Sequence, residues 1–260
     1  MIEKIKELLE CRELLANIAM REIKVRYKQS VLGIFWSILQ PLSMMVIFTL
    51  VFSRVAKIPS DGIPYPLFAY TALLPWTFFA TSLSFAIPSL VSNSSLLTKI
   101  YFPREIFPIS SILAATVDFG IAAAIFVAIL VFYEVTITAY ALYIVPILLI
   151  QVLFTLALTL LASALNVYYR DVKYALPFFI QCWMFLSPVI YSETSVPDKY
   201  RSLYMLNPMA PIISGYRTVL LKRASPDFLY LGIATLVTLM LLFWSYKYFK
   251  MVEMSFADWI

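Results

Sequence analysis

The chain has 260 residues, 62% of them apolar and 13% charged, with a formal net charge of +5 and a mean hydropathy of +0.86. Soluble domains average roughly 45–50% apolar and about 25% charged residues, so this composition excludes a water-soluble globule and points to lipid as the solvent. There is no histidine, and the two cysteines, Cys11 and Cys182, fall in a head segment and in an apolar run, so neither histidine chemistry nor a disulfide framework is expected.

In chain order, residues 1–20 read as an amphipathic helix. Ile2, Ile5, Leu8, Leu9, Leu15 and Ile18 recur at helical spacing against Glu3, Lys4, Lys6, Glu7, Glu10 and Glu13. Such a helix ahead of a first span is expected to lie in the membrane interface. The cluster Arg21, Lys24, Arg26 and Lys28 then meets anionic head groups. The first apolar run begins near residue 31 and is long enough to span, so no cleavable leader is expected.

Charge-free or nearly charge-free runs then set six spans, at 31–53, 66–91, 106–133, 139–166, 174–191 and 228–247. Each approaches or exceeds the ~20 residues that cross a hydrocarbon core ~30 Å thick. The runs lack the alternation of barrel strands, so the expected fold class is an all-α integral membrane protein forming one transmembrane domain. Thirteen of the twenty Lys and Arg fall on the side of the head segment, the 92–105 and 168–173 loops and the tail. Positive charge favours the cytoplasm, so both termini are expected there.

Three features interrupt the oil. The stretch TKIYFPRE (98–105) places two aromatics, a proline and three charges in a short loop between spans two and three. Asp118 is the one charge well inside a span, a costly position that reads as a paired or hydrogen-bonded residue of the bundle interior; without an intramembrane Lys, Arg or His partner it makes a poor proton relay. Residues 192–227 are too polar to span, yet Leu203–Tyr216 is apolar, and Pro208, Pro211 and Gly215 break it into pieces. Two short helices on or dipping into the outer face are expected, with either a gate or a plain cap as their role.

Aromatics make up 16% of the chain. Tyr174, Phe178, Gln181 and Phe185 share one face of span five, opposite Phe179 and Trp183, and Phe35, Trp36, Phe48 and Phe52 lie on span one. A stripe of aromatic faces and amide tips suits sliding contact with sugar rings, though interface belts and helix packing use the same residues. Only five glycines exist, all far apart, so no phosphate-cradling loop is possible and any ATP-driven work needs another chain. No nucleic-acid-binding pattern is present. The two halves differ in loop lengths and motifs, which argues against an inverted repeat.

Four stretches carry a resemblance: REIKVRYKQSVLGIFWSILQPL (21–42), TKIYFPRE (98–105), YYRDVKYALPFFIQCWMFLSPVIY (168–191) and LNPMAPIISGYR (206–217). In order and spacing they resemble the ABC-2 type permeases that export polysaccharides of the O-antigen and teichoic acid kind. The resemblance implies a homodimeric channel in a bacterial inner membrane, with two ATPase subunits that bind ATP and magnesium below it and no cofactor in this chain. It implies a coupling helix over Ser94–Arg104 that seats in the ATPase. Leu96, Leu97, Ile100, Tyr101 and Phe102 are its anchors, and Lys99, Arg104 and Glu105 its charged rim. It further implies that spans one and five line the channel, that 192–227 holds gate helices, and that an undecaprenyl-type lipid-linked glycan arrives beside the amphipathic helix. There Arg21, Lys24, Arg26 and Lys28 would steer its pyrophosphate. The alternatives are a teichoic acid or capsule exporter permease, a small-molecule exporter of the same class, or a membrane glycosyltransferase. The last is disfavoured because Asp171, Glu193 and Asp198 lie in different loops on different sides.

Overall fold

The computed structural model describes residues 10–28, 33–97 and 102–259, and among these every regular element is helical. Helix α1 (Arg12–Tyr27) ends where Lys28 turns extended, and the chain resumes in a short turn at Gly33, whose φ of +51° favours glycine. α2 (Trp36–Phe48) carries Pro41 and runs on as a π-helical stretch, Thr49–Val55. α3 (Tyr65–Ser92) starts behind Pro64, with a second proline in its first turn where a missing N–H is harmless. A short α4 (Ser94–Leu97) precedes α5 (Ile106–Phe132), and a turn at Ala139–Tyr143 leads into α6 (Ile144–Tyr168). Then come α7 (Val172–Phe185), α8 (Asp198–Tyr204), α9 (Met209–Arg217, continued by a π-helical Thr218–Lys222), α10 (Phe228–Val252) and a closing turn with α11 (Phe256–Trp259).

Five helical stretches are long and apolar enough to cross a membrane: Trp36–Val55, Tyr65–Ser92, Ile106–Phe132, Ala139–Tyr168 and Phe228–Ser255. These match five of the six expected spans to within a few residues at most ends. The fifth differs. In place of a span over 174–191, α7 has 14 residues, about 21 Å at 1.5 Å per residue, short of a ~30 Å core. The rest of that run, Leu186–Tyr191, is non-helical, because Ser187-Pro188 stops the helix and removes a donor.

α3 is the axis of the bundle: 61% of its apolar window is buried, against 11–39% for the other four. It packs on α5, α6, α2, α9 and α7, while α10 packs on α6 and α1 packs on α5. The main core is aromatic. Tyr70 stacks on Phe126 at 5.4 Å, and Phe79 meets Phe154 at 5.7 Å and Trp183 at 5.4 Å. A second cluster at one end joins Ile18, Leu90, Leu97, Phe102, Phe107, Phe249 and Phe256.

The side-chain contacts define the two ends. At one, Asp61 in the α2–α3 loop bonds Ser192 and Lys222. At the other, Glu105 and Glu253 share Lys250, and Arg170 donates to the carbonyl of Trp259 at 3.0 Å. The 172–191 run therefore begins at the Lys250 end and finishes at the Asp61 end.

Candidate functional site

At the Lys250 end, the loop expected to be one helix over Ser94–Arg104 is helical at Ser94–Leu97 and a turn at Phe102–Glu105; Lys99, Ile100 and Tyr101 lie outside the described residues. Leu97 and Phe102 are buried in this chain's own second cluster and Leu96 is half-buried against it, so these anchors fix the loop to its own bundle. The rim is also engaged. Glu105 is 1% exposed and bonds Lys250 at 2.8 Å, and Arg104 donates to the carbonyl of Glu253 and sits over Phe256. Tyr168 packs on Trp259 at 5.4 Å, which ties the 168–171 loop to the same tail. The Glu105–Lys250 pair escapes sequence reading because 145 residues separate its members.

The aromatic residues divide. On α7, Tyr174, Phe178, Gln181 and Phe185 are all exposed, as is Phe179, and no residue of the helix is buried. Trp183 turns inward to Phe79 and Phe154 and donates to Asn207 at 2.9 Å. On α2 and its approach, Phe35 and Trp36 are exposed and Phe52 is half-buried. Phe48 corrects the expectation: at 5% exposure it lies in the main core, edge-on to Phe52, because its side of α2 faces α3.

At the Asp61 end, sequence reading missed Arg217, counted there as a loop charge. It is 4% exposed and lies 3.5 Å over the ring of Phe68. It donates to the carbonyls of Phe68 (3.3 Å), Pro188, Val189 (2.8 Å) and Tyr191 (3.1 Å). Three of these belong to the non-helical stretch after α7, whose carbonyls have no helix to satisfy them. The signal available was the arginine itself, inside an apolar stretch that cannot leave a cation unpartnered. Beside it, Asp61 accepts from Lys222 and Ser192 and from Thr194 at 3.1 Å. Burial pushes its carboxyl up, but Lys222 and the two hydroxyls outweigh that and hold it below its ordinary value.

Between these ends, α1 meets the bundle interior. Glu22 accepts from Ser110 and Ser111 at 3.0 Å each, and Arg21 donates to Asn93. Arg26 pairs with Asp118 at 2.8 Å, and the Tyr27 hydroxyl also donates to Asp118. Asp118 thus has a cationic partner that sequence reading did not give it, because the partner comes from the head segment. Of the four basic residues expected at the membrane surface, Arg21 and Arg26 are bonded into the fold, and Lys24 and Lys28 are exposed. Arg26 and Asp118 sit on the wall of a cavity of about 550 Å³ bounded by α1, α2, α3 and α5.

An all-helical bundle with five apolar crossings, an engaged loop at one end and an arginine-held irregular stretch at the other defines a multi-pass membrane protein. The profile of the ABC-2 type transporter family matches residues 13–221, and the chain belongs to that family. It is 31% identical over 261 residues to the O-antigen export system permease protein RfbA of Myxococcus xanthus, covering 99% of both chains. It is 29% identical over 247 residues to the RfbA permease of Klebsiella pneumoniae, covering 95% of this chain and 94% of that one. The polysialic acid transport protein KpsM of Escherichia coli is 22% identical over 231 residues, covering 85% of this chain and 87% of the relative.

Proposed function

We propose that this chain is the channel-forming subunit of an ATP-driven exporter that carries lipid-linked polysaccharide of the O-antigen type outward across a bacterial inner membrane. The end-to-end similarity to an O-antigen export permease carries this reading. The weaker similarity to a polysialic acid transport protein places a capsule polymer second.

The geometry supports six crossings. The 172–191 run starts beside Arg170 and Trp259 and ends at Ser192, bonded to Asp61 at the opposite end. With α7 continued by the arginine-held stretch as the fifth crossing, both termini fall on the Lys250 side, the cytoplasmic side by the charge rule. α8 and α9 then form the outer gate. The wholly unburied α7 and the exposed Phe35 and Trp36 suit a second copy of this chain, with Tyr174, Phe178, Gln181 and Phe185 facing the joint passage. Aromatic faces there give a sugar chain many shallow contacts and no deep well.

The loop over Ser94–Glu105 takes the thrust of two ATPase subunits, which hold ATP and magnesium. Its described flanks are locked to the bundle through Leu97, Phe102, Glu105 and Arg104, so a push on the residues between them reaches α5 and α10 directly. Lys24 and Lys28 remain exposed to attract the pyrophosphate of an arriving lipid-linked glycan. The test is co-purification with the partner ATPase and immunoblotting of surface glycan, wild type against Lys99→Ala plus Tyr101→Ala. Loss of the partner and of surface polymer, with the chain still in the membrane, supports the reading. Normal polymer with no ATPase bound overturns it.

A further inference from the structure

The cavity beside Arg26 lies well below the membrane surface. Asp118 is twelve residues into α5 and Thr77 fifteen residues from the end of α3, about 18 Å and 22 Å of helix from the Lys250 end. At that depth polar groups need partners from protein, water or ligand. Hydroxyls of Tyr27, Ser37, Thr77, Thr81 and Ser84 line this space. The Arg26 side chain is 9% exposed, yet its Nε and one of its Nη groups have no hydrogen-bond partner among the described residues. Two buried guanidinium N–H vectors on a cavity wall ask for acceptor oxygens.

The charge balance decides which oxygens. Asp118 already neutralises Arg26, and the nearest further charge, Glu22, is acidic and bonded to Ser110 and Ser111. A phosphate placed here would meet no net positive charge, whereas a neutral polyol would meet donors, acceptors and ring faces together. The faces are present: Phe85 lies under the Arg26 guanidinium at 3.7 Å, and Trp36, Phe78 and Phe119 line the same space. Trp36, Gln40 and Phe85 are exposed at its mouth. A volume of about 550 Å³ admits one or two sugar rings.

We propose that this cavity, enclosed within a single copy of the chain, binds a neutral sugar ring, with the Nε and free Nη groups of Arg26 donating to ring hydroxyls and Trp36 and Phe85 flanking the opening. The natural source of that ring rests on the exporter reading: it is a sugar of a membrane-anchored glycan, held apart from the aromatic stripe of α7.

The test uses the full chain in phosphatidylcholine nanodiscs with monoglucosyl diacylglycerol bearing a diazirine on the glucose. Saturable adducts are expected within Trp36–Pro41 and Thr77–Phe85. Arg26→Lys keeps a cation for Asp118 but removes the extra donors, and Ser84→Leu narrows the mouth. Each lowers adduct yield about tenfold, the scale of a charged hydrogen bond lost, at unchanged melting temperature. Unlabelled glucosyl lipid competes and phosphatidylglycerol does not. Competition by free glucose shows that the ring suffices, and its absence shows that the lipid-carried sugar is the ligand. Equal competition by phosphatidylglycerol, adducts elsewhere, or full labelling of Arg26→Lys overturns the site. Labelling here by a chain that exports no glycan overturns the exporter reading and keeps the site; export without labelling does the reverse.

Discussion

Replacing Arg217 with Met keeps the length of the side chain and removes every donor it aims at Phe68, Pro188, Val189 and Tyr191. Hydrogen bonds to charged groups contribute about 1.5–3 kcal/mol each. The four do not add, because the same substitution relieves the cost of burying a guanidinium that is only 4% exposed. What remains is the cost of buried carbonyls without partners, three of them on backbone that no helix satisfies, which sets a net loss of about 3–5 kcal/mol. For a chain of this size that corresponds to a fall in melting temperature of roughly 10 °C. Hydrogen exchange localises the effect: amides of 186–192 and of α9 exchange faster, while those at the centre of α3 keep their protection. Arg217→Lys retains a cation with fewer donors and falls between. A Met variant that melts within about 1 °C of wild type, with 186–192 still protected, refutes the reasoning.

Three further outcomes follow from the same structure. Arg26→Met or Asp118→Leu alone leaves a buried charge without its partner, whereas the double variant removes both, so a double-mutant cycle of melting temperatures yields a coupling of about 1–3 kcal/mol. The Asp61 carboxyl sits below its ordinary value, so its contribution is full above about pH 4 and is lost as pH falls through the folded value; melting curves from pH 6 to 3 show this acid loss in wild type and a smaller one in Asp61→Asn. Lys250→Ala strands Glu105, which is 1% exposed, and loosens the loop after α4. Partner ATPase recovered with the chain drops several-fold, while Lys247→Ala, on the same helix, leaves it unchanged.

Long apolar runs made five crossings legible, since in α3, α5, α6, α10 and the Trp36–Val55 stretch the run of uncharged residues and the helix nearly coincide. The fifth expected span failed because hydropathy counts residues without asking whether they are helical. Leu186–Tyr191 is as apolar as a span, but Pro188 ends the helix, and Arg217, far along the chain, replaces the missing bonds. The exposed face of α7 was legible from 3.6-residue spacing, whereas the inward turn of Phe48 was not, because it depends on which side of α2 meets α3. The pairs Arg26–Asp118 and Glu105–Lys250 join residues 92 and 145 positions apart, and such pairing follows from the folded bundle and not from local pattern.

The most direct test of the exporter account is transport itself. This chain, reconstituted with its partner ATPase in liposomes loaded with lipid-linked glycan on the ATPase side, should deliver the glycan to the opposite leaflet only with hydrolysable ATP. The polymer there becomes open to an added glycosidase. Glycosidase-accessible polymer that accumulates equally without ATP, or none at all with an active ATPase bound, contradicts it.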